Sequence, residues 1–525
     1  MRTFSKVVAM VAATAFTYTT AEAQMSLGED CGCPDLASRT VVSLSDNGIT
    51  SDATIGTESA RAFPAGRTDL TCDNVYIIND KIYVPGGAQV YIEPGTVLKG
   101  TNDPSFDADA FIVSRDGQLF ANGTECCPII FTSAGDVPSS TNITDPLAGD
   151  PLDGTYPLSN RGEWGGLIML GNAPNNLLAA DGASLTVTDG VGGVEGLDVA
   201  SSRNWYGGSD SDDNSGILRY VSVRHGGIQI ALDNEINGIT LGSVGRGTTI
   251  EHVEVVANGD DGIEWFGGTV DVKYAAVMFC GDDGFDWDQG FSGRGQYWYS
   301  VENGSDKGWE IDGDDGSSTK PFYSNPTVYN ATMIGDGSSG DIAISAKSET
   351  QGTIANSIFT NHETGLNIGG STTRSFFDAG DFTMTDNLWE NMGTYAAQDG
   401  AADATLATEL NNRGNAEATG IIDYVNVLDL VNNTASNGYD PVPEVGTPGI
   451  ISSNLPPNDG WFDVVNFKGA FKPGAEPWTA GWSVGALVQL DNSLVECPTD
   501  VDRDGDTDVD DLLQLIGSYN TSCTQ

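Results

Sequence analysis

Basic side chains are scarce in this chain: 23 lysines and arginines face 74 aspartates and glutamates, a formal charge of −51 over 525 residues. So few cations exclude nucleic acid and anionic membranes as partners, because phosphate binding needs positive surface. Divalent metals and neutral or basic surfaces remain compatible. Histidine is rarer still, with three copies. His225 ends the strand-like run Tyr220–Arg224 and reads as a turn-closing hydrogen bond. His252 and His362 lack a Cys or His partner at zinc spacing, which argues against transition-metal binding. Helical periodicity is nearly missing too; Ala396–Thr419 is the one convincing helical stretch before the tail, and reads as an excursion from a β-rich body.

No segment after the first two dozen residues is apolar enough to span a bilayer. Met1–Ala23 reads as a secretory signal, with Arg2 and Lys6 at its positive end and Val7–Phe16 as its apolar run. Ala21-Glu22-Ala23 supplies the small-residue cleavage site. The mature protein is therefore expected to be secreted, extracellular or at the cell surface. The eight cysteines fit an oxidising compartment. Cys497 and Cys523 bracket the last module and are expected to pair, while the pairing among Cys31, Cys33, Cys72, Cys126, Cys127 and Cys280 stays open.

What the chain does have is a repeat. Glu251–Gly268, Lys273–Gly290 and Gln296–Gly313 are three copies of one pattern, with Gly259, Gly281 and Gly304 spaced 22 and then 23 residues apart. Strand-like halves around a Gly/Asp turn at that period predict an all-β solenoid, a right-handed parallel β-helix with about 22 residues per coil. Alternation from Asn74 onward extends the prediction over residues 72–490, after a lead-in at 24–71. Loop insertions are expected near 135–161, 173–213 and 396–419. Ile263, Trp265, Phe285, Trp287, Trp309 and Ile311 should point inward and stack like on like. Trp461, Trp478 and Trp482 are expected to cap the C-terminal end. Of Tyr297, Trp298 and Tyr299, one face should be core and the other incidental surface or a sugar platform.

Stacking the coils also stacks acids. Asp260/Asp261, Asp282/Asp283 and Ser305/Asp306 should superpose at one corner, Glu264, Asp286 and Glu310 in a second column, and Asp288 and Asp312 in a third. At a coil spacing of about 4.8 Å, neighbouring carboxylates repel by about 3–4 kcal/mol at an effective dielectric of about 20. Bound Ca²⁺, shared protons or full solvation would relieve this, and hard carboxylate and carbonyl oxygens suit Ca²⁺. The candidate calcium column is Asp260, Asp261, Asp282, Asp283 and Asp306. In a lyase reading, calcium on that column neutralises a substrate carboxylate, and Lys307 or Arg294 abstracts the α-proton. In a hydrolase reading, Asp282 and Asp286 act as acid and base.

The runs Val90–Gly100, Arg161–Asn172 (RGEWGGLIMLGN), Asn234–Gly242 and Asp260–Gly268 (DDGIEWFGG) share one pattern. With Gly469–Phe471 and Trp478–Trp482, they resemble a family of secreted bacterial right-handed parallel β-helix proteins. The resemblance covers Asn74 to Leu487 and implies fold and location rather than chemistry.

Asp500–Asp511 (DVDRDGDTDVDD) is the most specific local motif. Asp500, Asp502 and Asp504 fall at positions one, three and five of an EF-hand-like loop, Gly505 at the turn and Asp511 at position twelve. The loop resembles a dockerin half-repeat. That resemblance implies Ca²⁺ held by Asp500, Asp502, Asp504, Asp506, Asp508 and Asp511 in a module spanning 497–525. Dockerins carry two repeats and bind cohesins; with one repeat here, a cohesin-like partner stays an open expectation. The composite reading is a calcium-binding surface or matrix protein that is adhesive or carbohydrate-binding. Its ligand would be a polysaccharide or cell-surface glycan, and the alternative is a calcium-dependent polysaccharide lyase or hydrolase.

Overall fold

The computed structural model describes residues 32–45, 50–51, 60–101, 108–136, 158–181, 186–194, 196–231, 234–314, 319–422 and 440–484. The expected signal segment, the Asp500–Asp511 loop and the expected Cys497–Cys523 pair lie outside them. Two long sheets of 18 and 13 strands, joined almost wholly by parallel pairs, wind as a right-handed parallel β-helix. The wall is continuous because each coil's backbone donors meet the acceptors of the next, as in Thr249–Val256 on Val272–Met278 on Arg294–Val301.

Each coil turns three corners, and the residues there reveal how. Tyr220, His252, Tyr274, Tyr297, Asn330, Asn356 and Asp386 all have φ between 48° and 61° and fall on one register line through seven coils. A left-handed residue inside a long strand bends it into two faces and interrupts the inward–outward alternation. Bulky residues tolerate this strained conformation because the corner throws their rings outward onto one another. Tyr220, His252, Tyr274 and Tyr297 stack at 4.5, 4.3 and 4.8 Å between centroids. Burial among these rings lowers the His252 pKa to about 4, so the imidazole is neutral. His225 takes the next corner, at φ 58°, and its Nδ1 lies 2.7 Å from the Asn160 carbonyl.

Ile263, Trp265, Phe285, Trp287, Trp309 and Ile311 fill the interior with at most 1% exposure, as the alternation requires. Trp298 joins them, stacked on Trp265 at 4.9 Å and on Phe285 at 5.0 Å. Tyr297 and Tyr299 are buried as well, so this strand offers no sugar platform. The left-handed corner at Tyr297 breaks the simple alternation, and residues 440–484 cover the outer face, with Phe467 on Tyr297 and Phe471 on Tyr299.

That covering segment corrects the expectation of coils to residue 490 and of a tryptophan end cap. Among the described residues, the last coil strand is Ala416–Ala418. The segment beyond has prolines at 441, 443, 448, 456, 457, 473 and 477, which withhold ladder donors. It runs as a strap back along the side of the stack. Gly469 N bonds Asn356 O, Lys273 Nζ bonds Trp461 O, and Val484 N reaches Glu254 Oε1. Trp478 and Trp482 stand edge-on to the His252 and Tyr220 rings.

At the other end, Thr40–Ser43, Ala60–Ala62 and Gly66–Leu70 of the lead-in already pair as coil strands. The expected helix at 396–419 is confined to Ala404–Asn412, capped by Asp403 and flanked by strands, and a second helix spans Ser371–Ala379. Cys33 and Cys72 form a disulfide, Cys127 is also disulfide-bonded, and Cys126 and Cys280 are free. Gly216 opens a wall strand at φ 117°, where a Cβ would lie 1.9 Å from Leu119 O. Gly216→Ala should therefore lower stability by more than about 1 kcal/mol. A thermal melt matching wild type would show that the backbone there can shift.

Candidate functional site

The outward residues of the smaller sheet assemble the site. Thr240, Glu264, Asp286, Glu310 and Ser345 follow one another on adjacent strands, so the second acidic column exists as a register line. The corner column also exists, with one shift. The third coil holds one residue more than the spacing of the glycines implies, so Lys307, not Asp306, continues from Asp283. Asp306 continues from Asp282, and its N–H donates to the Asp282 carbonyl. Beyond it the line runs on to Asp341, which precedes Ile342, the partner of Lys307.

A cleft of about 490 Å³ opens over these acids, lined by Asp260, Asp261, Glu264, Asp282, Asn237 and Thr240, with Val194 and Phe266 at its apolar side. Val194 comes from the 173–213 insertion, whose antiparallel strands Thr186–Thr188, Val191–Gly193 and Trp205–Tyr206 sit against the sheet. Tyr83 Oη donates to Asn204 Oδ1, and Tyr206 packs on Phe266, so the insertion forms the cleft's wall.

Carboxylate oxygens of Asp261, Glu264 and Asp286 lie within 4.8 Å of one another, as do those of Asp260, Asp261 and Asp282, of Asp282, Asp283 and Asp306, and of Asp283, Asp286 and Glu310. Burial, reinforced by neighbouring carboxylates, pushes Asp261 and Asp286 well above the usual carboxylate range. Asp283 is raised by burial against the opposing pull of Lys307. Burial also lifts Asp312, in the third column, to about 7. Buried oxygens Asp283 Oδ1 and Asp286 Oδ1 accept no hydrogen bond. An uncompensated buried carboxylate is costly, so a cation or a proton belongs among these groups. Oxygens bound to one Ca²⁺ at 2.3–2.6 Å lie at most about 5 Å apart, and each trio meets that limit. Asn237 adds a neutral acceptor: its Nδ2 donates to Glu264 Oε2, and its buried Oδ1 has no donor.

The chain matches the model of the pectate-lyase like beta helix domain over residues 65–143 and 155–427. The chain belongs to this family. No curated protein and no solved structure matches it. The match ends at 427, near the last described coil strand of this pectate-lyase-like β-helix and before the strap.

Within the family fold, the residues considered for a lyase base take different places. Lys307 Nζ sits 2.5 Å from Asp306, 3.3 Å from Glu310 and 3.6 Å from Asp283. Burial disfavours its charge, but these carboxylates outweigh burial and hold its pKa above that of a free lysine. Lys307 is thus a counter-ion to the column and a poor base. Arg294 begins a strand of the larger sheet, paired with Asp271 and Asp459 and lying over the Trp461 ring. It makes no ion pair with the column. The sequence pattern missed Asn237 and Asp341, because the coils that carry them differ in length from the 22-residue period.

Proposed function

We propose that this protein is an extracellular, calcium-dependent polysaccharide-binding β-helix working at a cell surface or in a matrix. The observation that carries the reading is the cleft, lined by Asp260, Asp261, Glu264 and Asp282 on a pectate-lyase-like fold, with Asp286, whose buried Oδ1 accepts no hydrogen bond, beside Asp261 and Glu264. Calcium held there would turn a repelling face into one that accepts carboxylate or polyol oxygens of an acidic glycan. Asp260 and Asp282, at the cleft lining, would be the outer ligands. Asp261 and Asp286 would be the deep ones, and Asn237 Oδ1 a neutral one. The expected secretion and the dockerin-like calcium loop agree with this setting, and a cohesin-like partner would be a separate function of the tail.

A hydrolase is the second reading, favoured by Asp286, whose carboxyl is pushed well above the usual range by burial and then by Glu264, the direction a general acid requires. A lyase is less well supported, since Lys307 stays charged. One experiment separates the readings. Chelated and calcium-loaded protein are passed over immobilised polyuronates, with ultraviolet absorbance and reducing ends followed in the eluate. Calcium-dependent retention lost in Asp260→Asn/Asp282→Asn, with neither product, is the expected result. Unsaturated uronate would identify a lyase, and new reducing ends alone a hydrolase. Equal passage with and without calcium, and no product, would overturn the proposal.

A further inference from the structure

Behind the corner of the acid column lies a buried group of different chemistry. Glu302 follows the strand Arg294–Val301, Asp341 precedes Ile342–Lys347, and His362 lies two residues beyond Ile358–Thr360, so three successive coils each supply one side chain. Glu302, Asp341 and His362 are 2%, 2% and 1% exposed, and one ligating atom of each lies within 4.8 Å of the others. His362 Nδ1 is 2.7 Å from Asp341 Oδ1 and 3.7 Å from Glu302 Oε2. Ligands at about 2.1 Å from a tetrahedral ion stand about 3.4 Å apart, and these two separations bracket that value.

A second observation points to a missing ligand. Neither oxygen of the Glu302 carboxyl accepts a hydrogen bond from a donor group, and the carboxyl it lies beside, Asp341, could offer it only a shared proton. A carboxyl with that little exposure and no donor is costly to bury, so a cation or a shared proton belongs beside it. Glycines keep the space open. A Cβ on Gly308 would sit 2.6 Å from Glu302 Oε1, and one on Gly335 would sit 2.4 Å from His362 Nδ1 and 2.6 Å from Asp341 Oδ2.

We propose that Glu302, Asp341 and His362 bind a first-row divalent transition ion of the zinc type, as a clamp between three coils. An imidazole nitrogen with two carboxylates suits such an ion better than calcium, which takes oxygens alone. The site is independent of the glycan reading, since it shares no ligand with the cleft. Sequence spacing concealed it, because its partners for His362 are carboxylates from other coils rather than nearby Cys or His.

The test uses the full chain, chelated and then saturated with Ca²⁺ so that the acidic clusters are occupied, and titrated with Co²⁺. One equivalent of Co²⁺ is expected to give visible d–d absorption that Zn²⁺ displaces. His362→Gln and Glu302→Gln should each weaken binding at least tenfold, while Asp282→Asn leaves the bands intact. X-ray absorption of the zinc-loaded wild type, which needs no variant to fold, should show one imidazole nitrogen among oxygen ligands. Absence of Co²⁺ bands in folded wild type, an all-oxygen shell, or bands unchanged in a folded His362→Gln would each overturn the site in favour of a proton shared between Glu302 and Asp341.

Discussion

Asp286→Asn is expected to raise the melting temperature of the metal-free protein at pH 8 and, in the same variant, to weaken calcium binding at least tenfold. Asp286 is held above the usual carboxylate range by burial first, then by Glu264, Asp261, Glu310 and Asp283. The folded chain therefore keeps a proton at pH values where the unfolded chain has released it. Such a group contributes stability that is fully present below the unfolded pKa near 4 and is lost as pH rises through the raised folded pKa. Each tenfold difference in proton affinity is worth about 1.4 kcal/mol. Asp261 carries the same sign, so the chelated wild type should melt progressively lower from pH 5 to pH 8.5. Calcium at pH 8 should restore the loss while releasing protons, because metal and proton compete for the same oxygens. Asparagine keeps the shape and cannot ionise, so it removes part of the pH slope and one ligand together. Melts across that pH range with chelator, paired with calcorimetric calcium titrations in two buffers, measure both effects. A variant that melts lower than wild type at pH 5 and pH 8 alike would mean that the carboxyl is a structural hydrogen-bonding group instead.

Trp298→Ala should cost about 3–5 kcal/mol, the range for removing a large buried aromatic. Its ring is fully buried and stacks on Trp265 and Phe285, with Trp309 edge-on at 5.7 Å, and Nε1 donates to Val272 O at 3.0 Å. The cavity would open where coils contribute their largest side chains, and the Val272 carbonyl would lose its donor. Trp298→Phe should cost distinctly less, because stacking survives and only the indole's extra ring and bond are lost. In a solenoid each coil contacts its neighbours, so the damage should be local. Hydrogen exchange should accelerate most in Val272–Met278 and Thr327–Ile334, and least at Asn74–Ile78. Uniform acceleration along the chain would show that the stack unfolds as one cooperative unit.

The aromatic and acidic columns differ in how far they were legible. Trp265, Phe285 and Trp309 recur after a Gly/Asp turn, and a two-residue alternation can send them to one side only, so their burial followed from local pattern. Glu264, Asp286 and Glu310 lie between them and had to face outward. Asp306 was harder: counting from Gly304 places it over Asp283, whereas the ladder places Lys307 there. One added residue in a turn shifts what a repeat aligns, and only the hydrogen-bonded register resolves it.

The sequence by itself determined the parallel β-helix, its inward aromatics and the existence of stacked acids, because all three depend on a two-residue alternation and a repeat of about 22 residues that are both written along the chain. Tertiary structure decided which acids are buried, that the 173–213 insertion walls the cleft, and that the tryptophans near 478 strap the side rather than the end. It alone joined Glu302, Asp341 and His362. Those contacts link residues from 21 to 230 positions apart. Chain distance carries no information about them until the coils are wound and the strap is laid across them.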